Sequence, residues 1–296
     1  MISIRLGTRT SPLALVQADL VARTICNYHP TQKVEIIPMK SDRELLPEVL
    51  LNDAGEIGIF TTRIQEALLR AEIDIAVHSL KDLPVQEPEG LVIAAIPTRE
   101  DPSDALVSRS GLGLADLPTS SIIGTSSVRR ASQLSSLYPD MTILPVRGNI
   151  HARLDKLDTG RFDAIILATA GLLRLGLESR VTERLTYPQF LPAPGQGAIA
   201  VETRVEDYAI TKLIAPLDDT HLRAAITAER HFLAAAGGGC NEPLGALATI
   251  QDGQLILEAG RYTSPPITKV FSGPADDPYI LAQEAALTLL SSRPYE

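Results

Sequence analysis

Residues 73–84 read IDIAVHSLKDLP, and this stretch decides the fold class. Its first part, IDIAVHS (73–79), is almost continuously apolar, which is typical of a strand buried on both faces of a sheet. Its second part, HSLKDLP (78–84), is a polar loop that starts where the strand ends. Because open α/β sheets bind ligands at the carboxyl ends of their strands, we expect this loop to be functional.

Strand and helix patterns alternate on either side of this stretch. We predict strands at 2–6, 33–40 and 91–96, a helix after the Ser11-Pro12 pair, and a second helix at 61–72. Residues 41–58 are polar and have no convincing period, so we interpret them as a lid. Strands separated by helices predict a mostly parallel sheet.

The same alternation returns in the second hundred residues. Predicted strands lie at 121–127, 141–146 and 162–169, and predicted helices lie at 128–137 and 149–157. The segment LPAPGQGAIAVE (191–202) is rich in proline and glycine, so we interpret it as a crossover between lobes. Its apolar tail, AIAV (198–201), is predicted to return to the first lobe as a strand.

The end of the chain has a different pattern. A predicted helix (227–236), a loop (237–243), a hairpin (246–262) and a closing helix (278–292) follow one another, which is typical of a small α+β domain. The sequence therefore predicts an α/β protein with two lobes of mixed, mostly parallel sheets that face a cleft, plus this third domain. We predict lobe 1 at 1–98 plus 197–216, lobe 2 at 99–196 and the C-terminal domain at 217–296.

Arginines concentrate in the second lobe. Residues 121–175 carry a net charge of +3, whereas the whole chain carries −9 and the remainder therefore −12. Arg129 and Arg130 follow the strand and turn IIGTSS near a helix start, while Arg147 and Arg174 follow predicted strands. Helix N-termini and planar guanidinium groups both favour anions. The pattern favours a polyanionic small molecule over a solvated basic face.

The loop after the first buried strand supplies a candidate catalytic carboxylate. Asp82 is that candidate, and Lys81 is a candidate anion contact. The alternative is an ordinary surface loop with a local ion pair. We interpret His78 as a structural hydrogen-bonding residue rather than a base.

Arg9, Thr10 and Ser11 form a second polar cluster, placed after the first predicted strand. Ser11 is also a predicted N-cap. Phe60 is interpreted either as a residue that stacks on a flat ligand or as an ordinary core aromatic.

Cys240 ends the run Gly237-Gly238-Gly239. Glycines remove side-chain bulk and allow positive φ, so the thiol is accessible to something large. Cys240 is therefore a candidate nucleophile or covalent attachment point, the alternative being an incidental free thiol.

Composition excludes several classes of protein. The chain has 296 residues, of which 45% are hydrophobic and 21% charged, which excludes a disordered chain. The acidic net charge makes a nucleic-acid coat protein a poor interpretation. Two cysteines cannot build a disulfide framework or a four-thiolate zinc site. We find no secretory signal pattern or apolar run long enough for a membrane span, so we expect a cytoplasmic protein.

Seven motifs, in order, resemble the porphobilinogen deaminase (hydroxymethylbilane synthase) family of tetrapyrrole biosynthesis. They are TRTSPLALVQA (8–18), IAVHSLKDLP (75–84), GTSSVRRASQL (124–134), VRGNIHARLDKL (146–157), DAIILATAGLLRLGL (163–177), PGQGAIAVE (194–202) and GGGC (237–240). The resemblance covers nearly the whole chain, and seven motifs at this order and spacing are highly specific.

The resemblance implies a fold, a cofactor and a reaction. It implies two lobes similar to periplasmic binding proteins and a third domain whose cysteine, here Cys240, holds a dipyrromethane cofactor through a thioether. Four porphobilinogen molecules are added head to tail with loss of ammonia, and hydrolysis releases hydroxymethylbilane. Each pyrrole carries an acetate and a propionate, which accounts for the arginines.

The family's functional residues match positions of this sequence. The resemblance assigns cofactor or substrate binding to Arg9, Ser11, Phe60, Lys81, Thr125, Ser126, Ser127, Arg129, Arg130, Arg147, Gly148, Asn149, Arg153, Arg174 and Gln196. It assigns catalysis to Asp82, which suits a carboxylate that stabilises a cationic azafulvene and accepts a ring proton. From the charge, the apolar runs and the lack of a zinc spacing, we expect no metal and no contact with nucleic acid or membrane. We also expect a monomer with a transient hand-over of product to uroporphyrinogen-III synthase.

One departure and one rival interpretation accompany the resemblance. The family often has Gly-Lys-Gly before the aromatic residue at 60, whereas this chain reads Glu56-Ile57-Gly58, so a cationic contact is missing at 57. The rival is a binding protein that holds a carboxylate-rich ligand without chemistry, which needs neither Cys240 nor Asp82. A cysteine hydrolase is a third interpretation, but it lacks a visible His partner.

Overall fold

The computed structural model describes residues 3–40, 61–238 and 242–291 of the chain. The chain divides into two compact units. The first unit comprises Met1–Arg99 and Ala198–Arg223, and the second comprises Glu100–Gly197 and Ala224–Glu296. The lid predicted at 41–58 lies outside the described residues.

The described strands and helices alternate for most of the chain. The strands are β1 (Ile4–Arg9), β2 (Val34–Met39), β3 (Ile75–Ser79), β4 (Leu91–Ala95), β5 (Asp104–Ser108), β6 (Ile122–Gly124), β7 (Thr142–Leu144), β8 (Ala164–Ala168), β9 (Glu183–Leu185), β10 (Ile199–Arg204), β11 (Leu244–Gln251), β12 (Gln254–Arg261) and β13 (Ile267–Pro274). The α-helices are α1 (Pro12–Tyr28), α2 (Thr62–Leu69), α3 (Val128–Leu137), α4 (Ile150–Asp158), α5 (Thr169–Arg174), α6 (Tyr208–Ile214), α7 (Thr220–Ala235) and α8 (Pro278–Ser291).

The first unit is built on a five-stranded sheet in the order β2-β1-β3-β10-β4. Strands β1, β2 and β3 are parallel, and β10 runs antiparallel to both of its neighbours, so four of the five strands point one way. The predicted return of residues 198–201 is confirmed, because β10 pairs Ala200 with His78 of β3. Helix α1 buries Ala18, Val21 and Ile25 against the apolar residues of β1 and β3.

The second unit contains a five-stranded sheet of the same design, in the order β7-β6-β8-β5-β9. Strands β6, β7 and β8 are parallel, and β5 runs antiparallel to both β8 and β9. The strands and helices predicted between 121 and 169 are confirmed. The prediction of mixed, mostly parallel sheets is confirmed for both five-stranded sheets, since one antiparallel strand is inserted in each.

The second unit also contains the antiparallel sheet β11-β12-β13. The predicted hairpin is confirmed as β11 and β12, whose apolar residues pack with α8 through small side chains such as Ala282 and Ala285. Strand β13 is not predicted from the sequence. It is an edge strand without buried side chains, so its residues lack a strong apolar alternation. The division into three domains stays a prediction.

No helix within residues 3–40, 61–238 and 242–291 combines the length and apolar character that crossing a membrane requires.

Candidate functional site

A small cavity of about 60 Å³ lies at the strand ends of the first unit. Its polar lining residues are Arg9, Ser11, Gln17, Thr61, His78, Ser79 and Asp82. Three of the residues singled out from the sequence, Arg9, Ser11 and Asp82, are therefore brought together here. Lys81 is half-buried next to Asp82 in the chain.

Local structure explains why these side chains meet. Strand β1 ends at Arg9, and the Ser11 hydroxyl caps α1 by accepting a bond from the amide of Ala14 at 3.4 Å. Strand β3 continues into a 3-10 turn, Leu80–Asp82, which is anchored by the buried Leu80. Since β1 and β3 are parallel neighbours, both strands deliver their loops to the same edge of the sheet.

Gln17 is a lining residue that the sequence reasoning missed. Its side chain is buried and bonded to the hydroxyl of Ser79, with Nε2 donating at 2.9 Å and Oε1 accepting at 3.1 Å. The sequence does contain a signal for this residue, because Gln17 lies one helical turn from both Leu13 and Val21, on the apolar side of α1. A polar residue in an apolar stripe needs a buried partner.

His78 lies in the wall of the same cavity and is buried. Its Nε2 is 3.2 Å from Oε2 of the buried Glu202 on β10. Glu202 also accepts bonds from Nε2 of Gln65, at 2.9 and 3.2 Å. The His78 Nε2 atom is at ion-pair distance from Glu202 but forms no hydrogen bond within the described residues, so the structural hydrogen-bonding role of His78 stays a prediction.

In the second unit, the loops after β6 and β7 are tied to each other. The Ser126 hydroxyl donates a bond to the carbonyl of Val146 at 2.9 Å. Ser127 caps α3 through a 3.4 Å bond from the amide of Arg130, and Asn149 caps α4 through a 2.9 Å bond from Ala152. Thr125 is buried at the end of the same sheet edge. Two helix N-termini therefore lie beside joined loops, which is a setting that favours anions.

Arg147, Gly148 and Arg153 belong to the loop after β7 and the first turns of α4. Gly148 has a φ of +116°, which favours glycine, and its carbonyl accepts a 2.7 Å bond from Nε of Arg153. The side chain of Arg147 is exposed, and it has no hydrogen-bond or ion-pair partner within the part of the chain that the structure describes. Arg147 is therefore available to an anion.

Arg129 and Arg130 are buried, in contrast to Arg147. Both guanidinium groups contact the carboxylate of the buried Asp104, each with a shortest nitrogen–oxygen distance of 2.7 Å. Burial by itself raises the pKa of Asp104, but the charges of Arg129 and Arg130 outweigh it and hold that pKa well below its usual range. Asp104 is not predicted as a site residue from the sequence, because it lies in none of the motifs.

Gln196 and Arg174 connect the crossover segment to the same sheet. Gln196 is fully buried, and its Nε2 donates to Oδ1 of Asp104 at 2.9 Å. Arg174 is half-buried, and its Nη2 donates to the carbonyl of Gly197 at 2.7 Å. Burial lowers the pKa of Arg174, and the charge of Glu100 only partly opposes this effect. No carboxylate within the described residues lies at ion-pair distance from Arg174.

Phe60 and Cys240 lie outside the described residues. Within the described ranges, no group of three or more His, Cys, Asp or Glu side chains could hold a metal ion.

Comparison with known proteins identifies the family. The family profile described as "Porphobilinogen deaminase, dipyromethane cofactor binding domain" matches residues 4–212. The chain belongs to the porphobilinogen deaminase family. A porphobilinogen deaminase of Roseiflexus castenholzii is 45% identical over 292 residues, covering 98% of this chain and 96% of the relative. One of Syntrophobacter fumaroxidans is 48% identical over 254 residues, covering 86% and 82%.

The solved structures to which the chain is similar include an extracellular-binding protein and a periplasmic domain. The probable amino-acid ABC transporter extracellular-binding protein of Bacillus subtilis has a TM-score of 0.45 at 12% identity, covering 73% of this chain and 90% of that chain. The periplasmic BvgS VFT2 domain of Bordetella pertussis has a TM-score of 0.44 at 12% identity, covering 73% and 86%.

The residues present in the second unit fit the cofactor of this family. Dipyrromethane carries carboxylate side chains, and the unit offers the exposed guanidinium group of Arg147 and the half-buried one of Arg174. Ser127 and Asn149 add the N-termini of α3 and α4. This donor set is suited to binding carboxylates.

Proposed function

We propose that the protein is a hydroxymethylbilane synthase, a transferase that condenses four porphobilinogen molecules head to tail. Each addition releases ammonia, and hydrolysis then releases hydroxymethylbilane. The observation that carries this proposal is the cavity in which Asp82 lies beside Arg9 and Ser11, in a chain of this family.

Asp82 is the proposed catalytic residue. When ammonia leaves porphobilinogen, positive charge develops on the pyrrole as a cationic azafulvene. A fixed carboxylate close to the pyrrole N–H stabilises that charge. After the new C–C bond forms, the same carboxylate accepts the proton that the ring carbon must lose. The 3-10 turn holds Asp82 in place through Leu80, whose amide donates to the carbonyl of Ala198 at 3.0 Å.

Arg9, Ser11 and Lys81 are proposed to bind the acetate and propionate of the incoming substrate. Arg9 and Ser11 line the cavity, and Lys81 precedes Asp82 in the same turn. Cations and a helix start suit carboxylates, so these groups orient the pyrrole towards Asp82. Phe60, which lies outside the described residues, is proposed to stack on a pyrrole ring.

The second unit is proposed to hold the dipyrromethane cofactor. When bound, the cofactor supplies the pyrrole end to which each new unit is added. We propose that the carboxylates of the cofactor are bound by Thr125, Ser126, Ser127, Arg129, Arg130, Arg147, Gly148, Asn149, Arg153, Arg174 and Gln196. Cys240, outside the described residues, is proposed to form the thioether.

The mass of the intact protein tests the attachment. We expect the purified chain to exceed its sequence mass by two linked pyrrole units. Cys240→Ser removes the candidate thiol and should abolish the increment, whereas Cys26→Ser, in α1, should keep it. An unmodified chain that releases ammonia from porphobilinogen at full rate would contradict the attachment. An unmodified chain that binds porphobilinogen without releasing ammonia would support the binding-protein alternative.

We also propose that the protein acts as a cytoplasmic monomer and hands its product transiently to uroporphyrinogen-III synthase. Light scattering during size-exclusion chromatography tests the monomer, and a mass of two chains would contradict it.

A further inference from the structure

Asp104, at the start of β5, is the centre of a buried polar cluster in the second unit. It is fully buried, and its carboxylate accepts from Nη1 of Arg129 at 2.7 Å and from Nε of Arg130 at 2.9 Å. Nε2 of Gln196 donates to the same carboxylate at 2.9 Å. One acidic side chain therefore orients two neighbouring arginines and one residue of the crossover segment.

The remaining partners of the two arginines are neutral. Nη1 of Arg129 also donates to the carbonyl of Leu191 at 2.5 Å, and Nη1 of Arg130 donates to the carbonyl of Ile166 at 3.0 Å. Burial lowers the pKa of Arg130, because it disfavours the charged guanidinium group. The charge of Asp104 opposes this effect, and the charge of Arg129 adds to it. Asp104 is thus the group that allows two adjacent arginines to lie together in the interior.

The cluster has an unbalanced charge. Two guanidinium groups and one carboxylate leave one net positive charge in a place from which water is largely excluded, since the side chains of Arg129 and Arg130 are only 5% and 7% exposed. The first turn of α3, which contains both arginines, adds the positive end of a helix dipole. An excess charge of this kind is costly unless an anion approaches it.

We infer that Asp104 is a positioning residue for cofactor capture, which holds Arg129 and Arg130 so that their excess positive charge meets a carboxylate of dipyrromethane. The inference rests on the proposed function, because that function supplies the anion. A purely structural Asp104 is the rival explanation, since its bond to Gln196 also fixes the crossover segment.

The two explanations differ in how fast the folded apoprotein acquires its cofactor. We would produce wild type, Asp104→Asn and Asp74→Asn in cells that make no porphobilinogen, add porphobilinogen, and follow the dipyrromethane increment by intact mass. Asp74 is the control, because it holds Arg5 through a 2.6 Å ion pair in the first unit, away from the proposed cofactor residues. Thermal melting of each apoprotein reports the loss of stability separately.

We expect both variants to melt at lower temperature than wild type, but only Asp104→Asn to acquire the increment at least tenfold more slowly. Loading of folded Asp104→Asn at the wild-type rate would overturn the inference. If Asp104→Asn is not recovered folded, Asp104→Glu replaces it in the experiment. This variant keeps the negative charge but displaces the guanidinium groups. Slow loading of Asp104→Glu would support the positioning role, and loading at the wild-type rate would overturn it. A wild-type chain without any increment would instead contradict the proposed function.

A combined substitution tests the path of the effect. Because Asp104 acts through both arginines, adding Asp104→Asn to the pair Arg129→Gln and Arg130→Gln should slow loading no further than that pair alone. Two independent and multiplying losses would mean that Asp104 acts elsewhere.

Discussion

The side chains of Gln17 and Ser79 are bonded in both directions, at 2.9 and 3.1 Å. Gln17 belongs to α1 and Ser79 ends β3, so this pair fixes the start of the 3-10 turn with Asp82 against the helix that Ser11 caps. The side-chain amide of Gln17 and the hydroxyl of Ser79 therefore link the two walls of the cavity. Small displacements of a reacting group are costly in catalysis, which makes this link a sensitive point.

Replacing Gln17 tests that link. Gln17→Leu leaves the Ser79 hydroxyl without its partner in the cavity wall, and a lost buried hydrogen bond costs about 1–3 kcal/mol. We expect kcat/KM for porphobilinogen to fall by about tenfold, with the cofactor increment retained. The exposed Gln86 offers the control substitution Gln86→Leu. Equal kinetics in the two variants would show that the link has no catalytic consequence.

Asp82→Asn removes the negative charge and keeps the size of the side chain. We expect turnover to fall about 100-fold or more, because both the cation and the proton transfer lose their carboxylate. The dipyrromethane increment should remain in protein supplied with preformed cofactor, which intact mass measures. A near-wild-type rate of ammonia release would remove Asp82 from the mechanism.

Arg130 and Arg147 should differ in their effect on stability when each is replaced by methionine. Arg130→Met leaves a buried carboxylate with one partner fewer, so we expect the free energy of unfolding to fall by about 3 kcal/mol. Arg147→Met removes an exposed, unpaired guanidinium group and should leave the urea midpoint unchanged. In Arg147→Met, cofactor loading or chain elongation should slow by about tenfold, as for a lost charge-assisted bond. Urea unfolding measures the change in stability and intact mass measures loading; a lowered urea midpoint in Arg147→Met, or an unchanged one in Arg130→Met, would contradict this prediction.

Asp104 should make the stability of the protein sensitive to acid. The pKa of Asp104 in the folded protein lies below that of an exposed aspartate, about 3.9 in an unfolded chain. A lowered pKa contributes stability that is present above the unfolded value and is lost as the pH falls towards the folded one. Urea midpoints of wild type should therefore fall more steeply below about pH 4 than those of Asp104→Asn. Parallel curves would show that the carboxylate is not held as described.

The features that the sequence predicts well are local ones. Ser11-Pro12 is a cap followed by a first-turn proline, and it starts α1 as expected. The apolar tail of the crossover returns as β10 because its side chains are buried on both faces, like those of β3. The strand-end rule places Arg9, Ser11 and Asp82 in loops after predicted strands, and the structure brings these three residues to one cavity, although their roles stay predictions.

The features that the sequence does not predict depend on distant residues. Nothing near Asp104 in the chain indicates that it meets arginines at 129 and 130, since only the pairing of β5 with β8 brings it there. The burial of those arginines follows from the same pairing. Their spacing predicts a helix start, but it cannot distinguish a ligand-facing guanidinium group from one that is already paired with a carboxylate.

The place of β10 in the first unit has a consequence for biosynthesis. This strand lies between β3 and β4, yet the ribosome makes it only after the whole of Glu100–Gly197. Strands β5 to β9 of the second unit are continuous in the chain, so their sheet can form during translation. Until β10 is synthesised, β3 and β4 each have an unpaired edge. Open strand edges are prone to pair with other chains. The nascent first unit therefore exposes unpaired edges of β3 and β4 until β10 has been synthesised.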